Sequence, residues 1–397
     1  MMTTDTFQSL KTPFYLYDTE LLQATLDTIN KETGKYENYH VHYAVKANAN
    51  PLVLEVIRKA GIGIDCVSGG EMEAVLKAGF KPEQIVFAGV GKTDEEIRLG
   101  LERGIFCFNV ESIPELEVIN ELATEMDKTA NVCFRINPNV GAHTHSNITT
   151  GLAENKFGIA LEDMEKLIIL AKSLTHIRFV GLHFHIGSQI LEMDDFIQLC
   201  NRINEIQDRL EKEGFGIEVI NVGGGLGIDY QNPQAHPIPD FKDYFETYHK
   251  HLKLRTGQHV HFELGRSVVG QCGTLITKVI YVKQGSAKQF AIVDAGMTDL
   301  IRPALYDAHH HIENITATGC IRLADQDSKC HTTEVYDVVG PICESSDVFD
   351  KGISLPATKR GDYLAIRSAG AYGEIMASHY NCRPFAKGYT IGQLENA

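Results

Sequence analysis

The sequence predicts an α/β chain: a TIM-type (β/α)8 barrel with a second, mainly β domain. Three observations carry this. Eight short β-branched runs follow one another, amphipathic helical stretches separate them, and after Arg266 the pattern changes to strands without long helices between them. At 397 residues the chain exceeds one ordinary domain but fits a large barrel with a smaller companion.

The barrel strands read in order as 39–46, 62–68, 84–89, 105–110, 131–137, 178–186, 218–222 and 260–264. Helices fall between them. The helix at 51–59 has Asn50 as its N-cap and Pro51 in its first turn, a favoured arrangement. Another helix, near 18–32, precedes the first strand. The later strands read as 273–282, 289–294, 334–339 and 363–367, and the early run 13–17 is also strand-like and can join that sheet. The expected domains are therefore a barrel over 30–268 and a β-rich unit formed by 1–29 with 269–397.

Composition narrows the function. With 43% hydrophobic and 22% charged residues the chain can build packed cores, and a net charge of −15 argues against binding a phosphate backbone. Nine cysteines without CxxC spacing fit reduced thiols. The opening MMTTDTFQSLKTPF has neither a basic nor an apolar targeting segment, and no apolar run approaches the ~20 residues that span a bilayer. A cytoplasmic enzyme without nucleic-acid or membrane partners is expected.

Active sites of such barrels sit at the C-terminal ends of the strands. Strand parity puts His42, Ala44 and Lys46 on one face, so Lys46 is expected to point into the barrel mouth. The same parity places His183, His185, His261 and Glu263 inward, puts Cys133, Arg135 and Asn137 on one face, and leaves Asp65 near the end of the second strand. A partly desolvated lysine among polar groups can form a Schiff base, although most lysines are solvated surface groups.

The segment NVGGGLG at 221–227 follows a strand, and its glycines allow backbone N–H groups to cradle a phosphate. A tight barrel turn is the plainer reading of it, and a dinucleotide loop is disfavoured by the barrel count. In GLHFHIGSQ, the His185 imidazole can stack on a flat cofactor and the Ser188 hydroxyl can reach its phosphate. The His183-x-His185 pair also has the chemistry of a zinc site, but no metal is expected. The run His309, His310 and His311 reads as a solvated loop. Glu263 beside a pyridine nitrogen would keep it protonated and make the ring an electron sink; the plainer alternative is a buried ion pair with Arg135.

Taken together, HYAVKAN, GLHFHIGSQ, NVGGGLG, ELGRS, DLIRPALYDA, GPICESSD and SAGAYG resemble, in that order, the fold-type III pyridoxal-phosphate-dependent decarboxylases, and within them the diaminopimelate decarboxylase family. The resemblance spans nearly the whole chain and implies an alanine-racemase-like fold. It also implies conversion of meso-2,6-diaminopimelate to L-lysine and carbon dioxide, the last step of lysine biosynthesis, with Lys46 as Schiff-base lysine to pyridoxal 5'-phosphate. The alternative is a related decarboxylase of ornithine, arginine or carboxynorspermidine.

By that resemblance His185 stacks on the cofactor, Glu263 contacts its nitrogen, and Ser188, Gly223, Gly224, Gly225 and Tyr372 surround the phosphate, while Asp65 and Arg135 support the Lys46 neighbourhood. Arg266, Arg302 and Tyr306 look like ligands of substrate carboxylates, with Arg266 also near the cofactor and Tyr372 near the substrate. Cys343 and Glu344 resemble residues given by the second subunit of a homodimer with shared sites, Cys343 near the reacting carbon and Glu344 on a substrate ammonium. The stretch 140–151 resembles the family's active-site loop. Two departures are Leu264, where proline is more usual, and Cys382, where serine is.

Overall fold

The computed structural model describes residues 3–141, 156–325, 327 and 331–395; most of the 140–151 loop lies outside these. The chain divides into two units. One comprises 26–227 and 240–265, the other 1–25, 228–239 and 266–397.

The first unit closes a barrel from eight parallel strands: β2 (Tyr39–Ala44), β3 (Gly63–Cys66), β4 (Ile85–Phe87), β5 (Cys107–Val110), β6 (Ala130–Arg135), β7 (Ile177–His183), β8 (Val219–Asn221) and β9 (His259–Leu264), counted after β1 (Phe14–Tyr17) of the other unit. β2 and β9 close the ring, with His42 opposite Glu263. All eight expected strands form, seven of them shorter than the sequence pattern suggested and β9 one residue longer. Val86, Cys107, Cys133, Val180 and Val219 pack as an apolar layer inside the ring, which keeps water from crossing the barrel and leaves polar side chains for its ends.

Helices begin where the sequence supplies caps. Asn50 accepts from Leu52 N–H (2.9 Å) at the start of Pro51–Ala60, as expected. Two further starts, Ser68-x-x-Glu71 and Ser112-x-x-Glu115, repeat one device: the serine hydroxyl accepts from the glutamate N–H, and the glutamate accepts from the backbone just before the serine.

The second unit is a sheet in the order β12-β15-β10-β11-β13-β14, where β10 is Gly273–Gln284, β11 Gln289–Val293, β12 Ile312–Asn314, β13 Thr333–Val339, β14 Val348–Pro356 and β15 Tyr363–Ile366. β1 pairs antiparallel with β10 and parallel with β16 (Lys387–Thr390), so the N-terminal strand does join this sheet. β12, β14 and β16 were not foreseen. Each either is short or carries the charges and glycines that mask a strand's periodicity.

Candidate active site

Lys46 needs a correction of cause. β2 ends at Ala44, and Val45–Ala47 form one turn of 3-10 helix, so the direction of Lys46 is set by that turn and not by strand parity. Its ammonium lies 3.4 Å from Asp65 Oδ2, and its side chain keeps 38% exposure. Lys92 in the same unit shows the opposite state: 1% exposed, it is satisfied by Gly89 O, Asn109 O and the Glu115 carboxylate. Lys92 is structural, whereas Lys46 keeps a partly exposed ammonium beside Asp65.

Glu263 sits fully inside the ring end, 3.0 Å from His183 Nε2. It accepts from Asn109 Nδ2 (3.0 Å) and Asn221 Nδ2 (2.6 Å), both on Oε1. Burial alone would raise its carboxyl, but His183, then Lys46 and the Asn221 amide outweigh it and hold the group well below the usual carboxylate range. The expected alternative, an ion pair with Arg135, does not occur: Arg135 bonds Glu111 at 2.9 Å. Burial raises the Asp65 carboxyl to about 8, with Glu263 adding to the rise and Lys46 opposing it. Two carboxylates under one roof thus differ in state, Glu263 ionised and Asp65 easily protonated.

His185 lies just past the end of β7, half-buried. Its Nδ1 accepts from Gly224 N–H at 3.2 Å, so the ring is neutral on that side. Burial, then Arg135 and Lys46, lower it well below the ordinary imidazole value. The glycine cradle is narrower than the sequence suggested. Gly223 N–H is spent on Asn221 Oδ1 (2.9 Å) and Gly224 N–H on His185, and among the described residues only Gly225 of the three keeps an amide without an acceptor. Side chains are excluded here, because a Cβ on Gly224 would stand 2.0 Å from Glu263 O and Gly223 has φ of +70°. Ser188 is half-buried beyond His185.

In the second unit Arg266 and Arg302 form a buried pair around Tyr230. Arg266 donates to the Tyr230 hydroxyl (2.6 Å) and lies 4.8 Å over the Tyr372 ring, and Arg302 lies 4.7 Å over the Tyr230 ring. No carboxylate among the described residues pairs with Arg302. Tyr372, whose ring lies against Arg266, has φ of +56°, strained for a non-glycine residue. Tyr306 is half-buried one turn after Arg302. Cys343 and Glu344 stand exposed on the 340–347 loop and are not part of the cluster within this chain. The three histidines at 309–311 are not a solvated loop. His309 pairs with Asp350 and His311 with Glu313, while His310 is buried.

Sequence reasoning missed Tyr230 and Asn109 altogether, read Asn221 only as the start of the glycine segment, and gave His183 no part beside Glu263. The asparagines carried a signal, being polar residues at strand positions otherwise filled by apolar ones. Toward the N-terminal ends of the barrel strands, a cavity of about 580 Å³ is lined by His40, His42, His259 and His261.

The model of the family described as "Pyridoxal-dependent decarboxylase, pyridoxal binding domain" matches residues 22–270. This chain belongs to the pyridoxal-dependent decarboxylases. A diaminopimelate decarboxylase of Bacteroides thetaiotaomicron is 65% identical over 98% of both chains. The structure of Helicobacter pylori diaminopimelate decarboxylase complexed with L-lysine is 40% identical, covers 98% of this chain and 93% of that one, and has a TM-score of 0.89. Within the class, the chain therefore falls in the diaminopimelate decarboxylase family. The fold alone is wider: a lysine/ornithine decarboxylase of Vibrio vulnificus has a TM-score of 0.81 at 21% identity, covering 98% of this chain and 97% of that one. The residues present fit pyridoxal phosphate, offering a partly exposed amine at Lys46, an ionised buried Glu263, a neutral half-buried His185 ring and the Gly225 amide.

Proposed function

We propose that this chain removes one carboxylate from meso-2,6-diaminopimelate and releases L-lysine and carbon dioxide. The observation that carries the substrate is Arg302: a guanidinium buried without a carboxylate partner among the described residues is costly unless a ligand supplies the anion. Diaminopimelate has an amino-acid group at each end and supplies it; ornithine has no distal carboxylate. Pyridoxal phosphate, when bound, takes up the electron pair left as carbon dioxide departs.

The chain's own groups then divide the work. Lys46 would hold the cofactor covalently. Glu263, kept ionised by His183, Lys46 and Asn221, would hold a proton on the cofactor's ring nitrogen, and neutral His185 would pack against that ring. Gly225 and Ser188, with Tyr372, bind the phosphate, and Asp65 and Arg135 fix the Lys46 surroundings through charge. Arg266 and Tyr306 join Arg302 in orienting substrate carboxylates, for which arginine's planar fork is suited. The barrel residues 30–268 are the cofactor-binding domain.

The working unit is a cytoplasmic homodimer, with Cys343 and Glu344 completing the partner's site; their exposure in one chain supports this. No described helix is long and apolar enough to cross a membrane. Mixing Lys46→Ala with Glu344→Ala chains then restores one site in each mixed dimer, or about a quarter of full activity at random pairing. No recovery in verified mixed dimers would place Glu344 in its own chain's chemistry or outside it. The substrate is tested by measuring carbon dioxide release from meso-diaminopimelate, ornithine and arginine separately. Preference for either of the last two would overturn the assignment.

A further inference from the structure

His310 is the middle residue of a three-histidine run, and it is 1% exposed. Both ring nitrogens are engaged. Nδ1 lies 2.8 Å from the Arg367 carbonyl oxygen and Nε2 lies 2.7 Å from Arg302 Nη1. A carbonyl only accepts and a guanidinium only donates, so the proton must sit on Nδ1 and Nε2 must be bare. The backbone at Arg367 thereby fixes the tautomer, and the tautomer presents an acceptor to Arg302.

Arg367 is itself immobilised, since its guanidinium bonds Glu313 at 2.6 and 2.8 Å and the Ile321 carbonyl at 2.7 Å. Around the imidazole, Tyr230 meets the His310 ring edge-on at 5.2 Å while its face carries Arg302. Arg302 is thus held by one acceptor and one aromatic face, neither of which neutralises it. Burial, followed by the Arg302 charge, lowers His310 to about 3, so the acceptor persists through the neutral range.

We propose that His310 is the positioning residue that aims Arg302 at the substrate's distal carboxylate, holding the guanidinium by a hydrogen bond while leaving its charge for the ligand. This rests on the reading of Arg302 given above. An aspartate in its place would orient the arginine as well but would compete with the substrate for the same charge; a neutral imidazole does not.

Two near-isosteric variants separate positioning from packing. In His310→Asn the amide overlays Nδ1 and can still donate to Arg367 O, but nothing reaches Arg302. In His310→Gln the side-chain oxygen overlays Nε2 and can still accept from Arg302. The holoenzyme is assayed with meso-diaminopimelate, and inhibition is measured with L-lysine and with cadaverine, which differ only by the carboxylate. His310→Asn is expected to raise KM and the L-lysine inhibition constant by about tenfold, with a smaller effect on kcat and no change for cadaverine. His310→Gln is expected to recover most of that loss. Arg302→Ala serves as the control and should erase the preference for L-lysine over cadaverine. If Arg302→Ala leaves that preference intact, the reading of Arg302 itself fails. If Arg302→Ala erases it while His310→Asn leaves KM unchanged, or while Asn and Gln variants lose alike, His310 is a packing residue and the proposal is overturned.

Discussion

β2 and β9 carry imidazoles at their N-terminal ends and, at their C-terminal ends, the approach to Lys46 and Glu263. At the first end His40 pairs with His259 (2.9 Å) and His42 with His261 (2.8 Å), each imidazole answering another. Burial lowers His42 to about 4 and His261 well below its ordinary value, so these rings are neutral. At the second end His183 Nε2 lies 3.0 Å from the Glu263 carboxylate, and both side chains are buried. A cavity of about 580 Å³ opens at the neutral end. What distinguishes the reactive end is therefore not its histidine content but a buried carboxylate held ionised by its neighbours.

That contrast breaks most directly on activity. Lys46→Ala is expected to abolish turnover and leave no cofactor attached to the chain after borohydride reduction, whereas His40→Gln, near the N-terminal end of β2, keeps kcat within about twofold. A retained covalent cofactor in the first variant, or an equal loss in the second, would erase the distinction between the ends.

A second measurement sharpens which charge matters. Glu263→Gln keeps the shape and a hydrogen-bonding group but removes the anion, so turnover should fall by about 10²–10³ with cofactor still bound. Near-normal turnover would assign Glu263 to packing and make the two ends equivalent in kind.

The smallest effect is on stability. A histidine held neutral below its ordinary value binds fewer protons folded than unfolded, so the folded state loses stability as pH falls from about 6.5 toward about 4. His42→Gln keeps a partner for His261 and should flatten that acid slope by up to about 3 kcal/mol, read from urea unfolding of the cofactor-free protein at about pH 7 and about pH 4.5. An unchanged slope would mean that the acid sensitivity arises elsewhere than at the neutral end.

Much of this was legible in the chain itself, for a physical reason. The eight barrel strands and the helix at Asn50–Pro51 follow from local rules, since β-branched runs, turn residues and a cap act within a few residues of one another. Lys46 and Glu263 were recognisable because the chemistry they serve needs an amine and a carboxylate within short motifs. What the sequence could not decide is who faces whom. Asn109 reaches Glu263 from 154 positions away, and the contact exists only because closure of the ring brings β5 and β9 to face across one interior. The turn at Val45–Ala47 overrode strand parity at Lys46, since a strand's alternation ends with its hydrogen-bond ladder at Ala44. Likewise His310 read as a solvated imidazole until the sheet brought the Arg367 carbonyl to one of its nitrogens and left the other for Arg302. Local propensity determined the elements; the pairing of buried charges, and hence their protonation states, was decided by tertiary closure, because only burial makes an imidazole or a carboxylate depend on its neighbours.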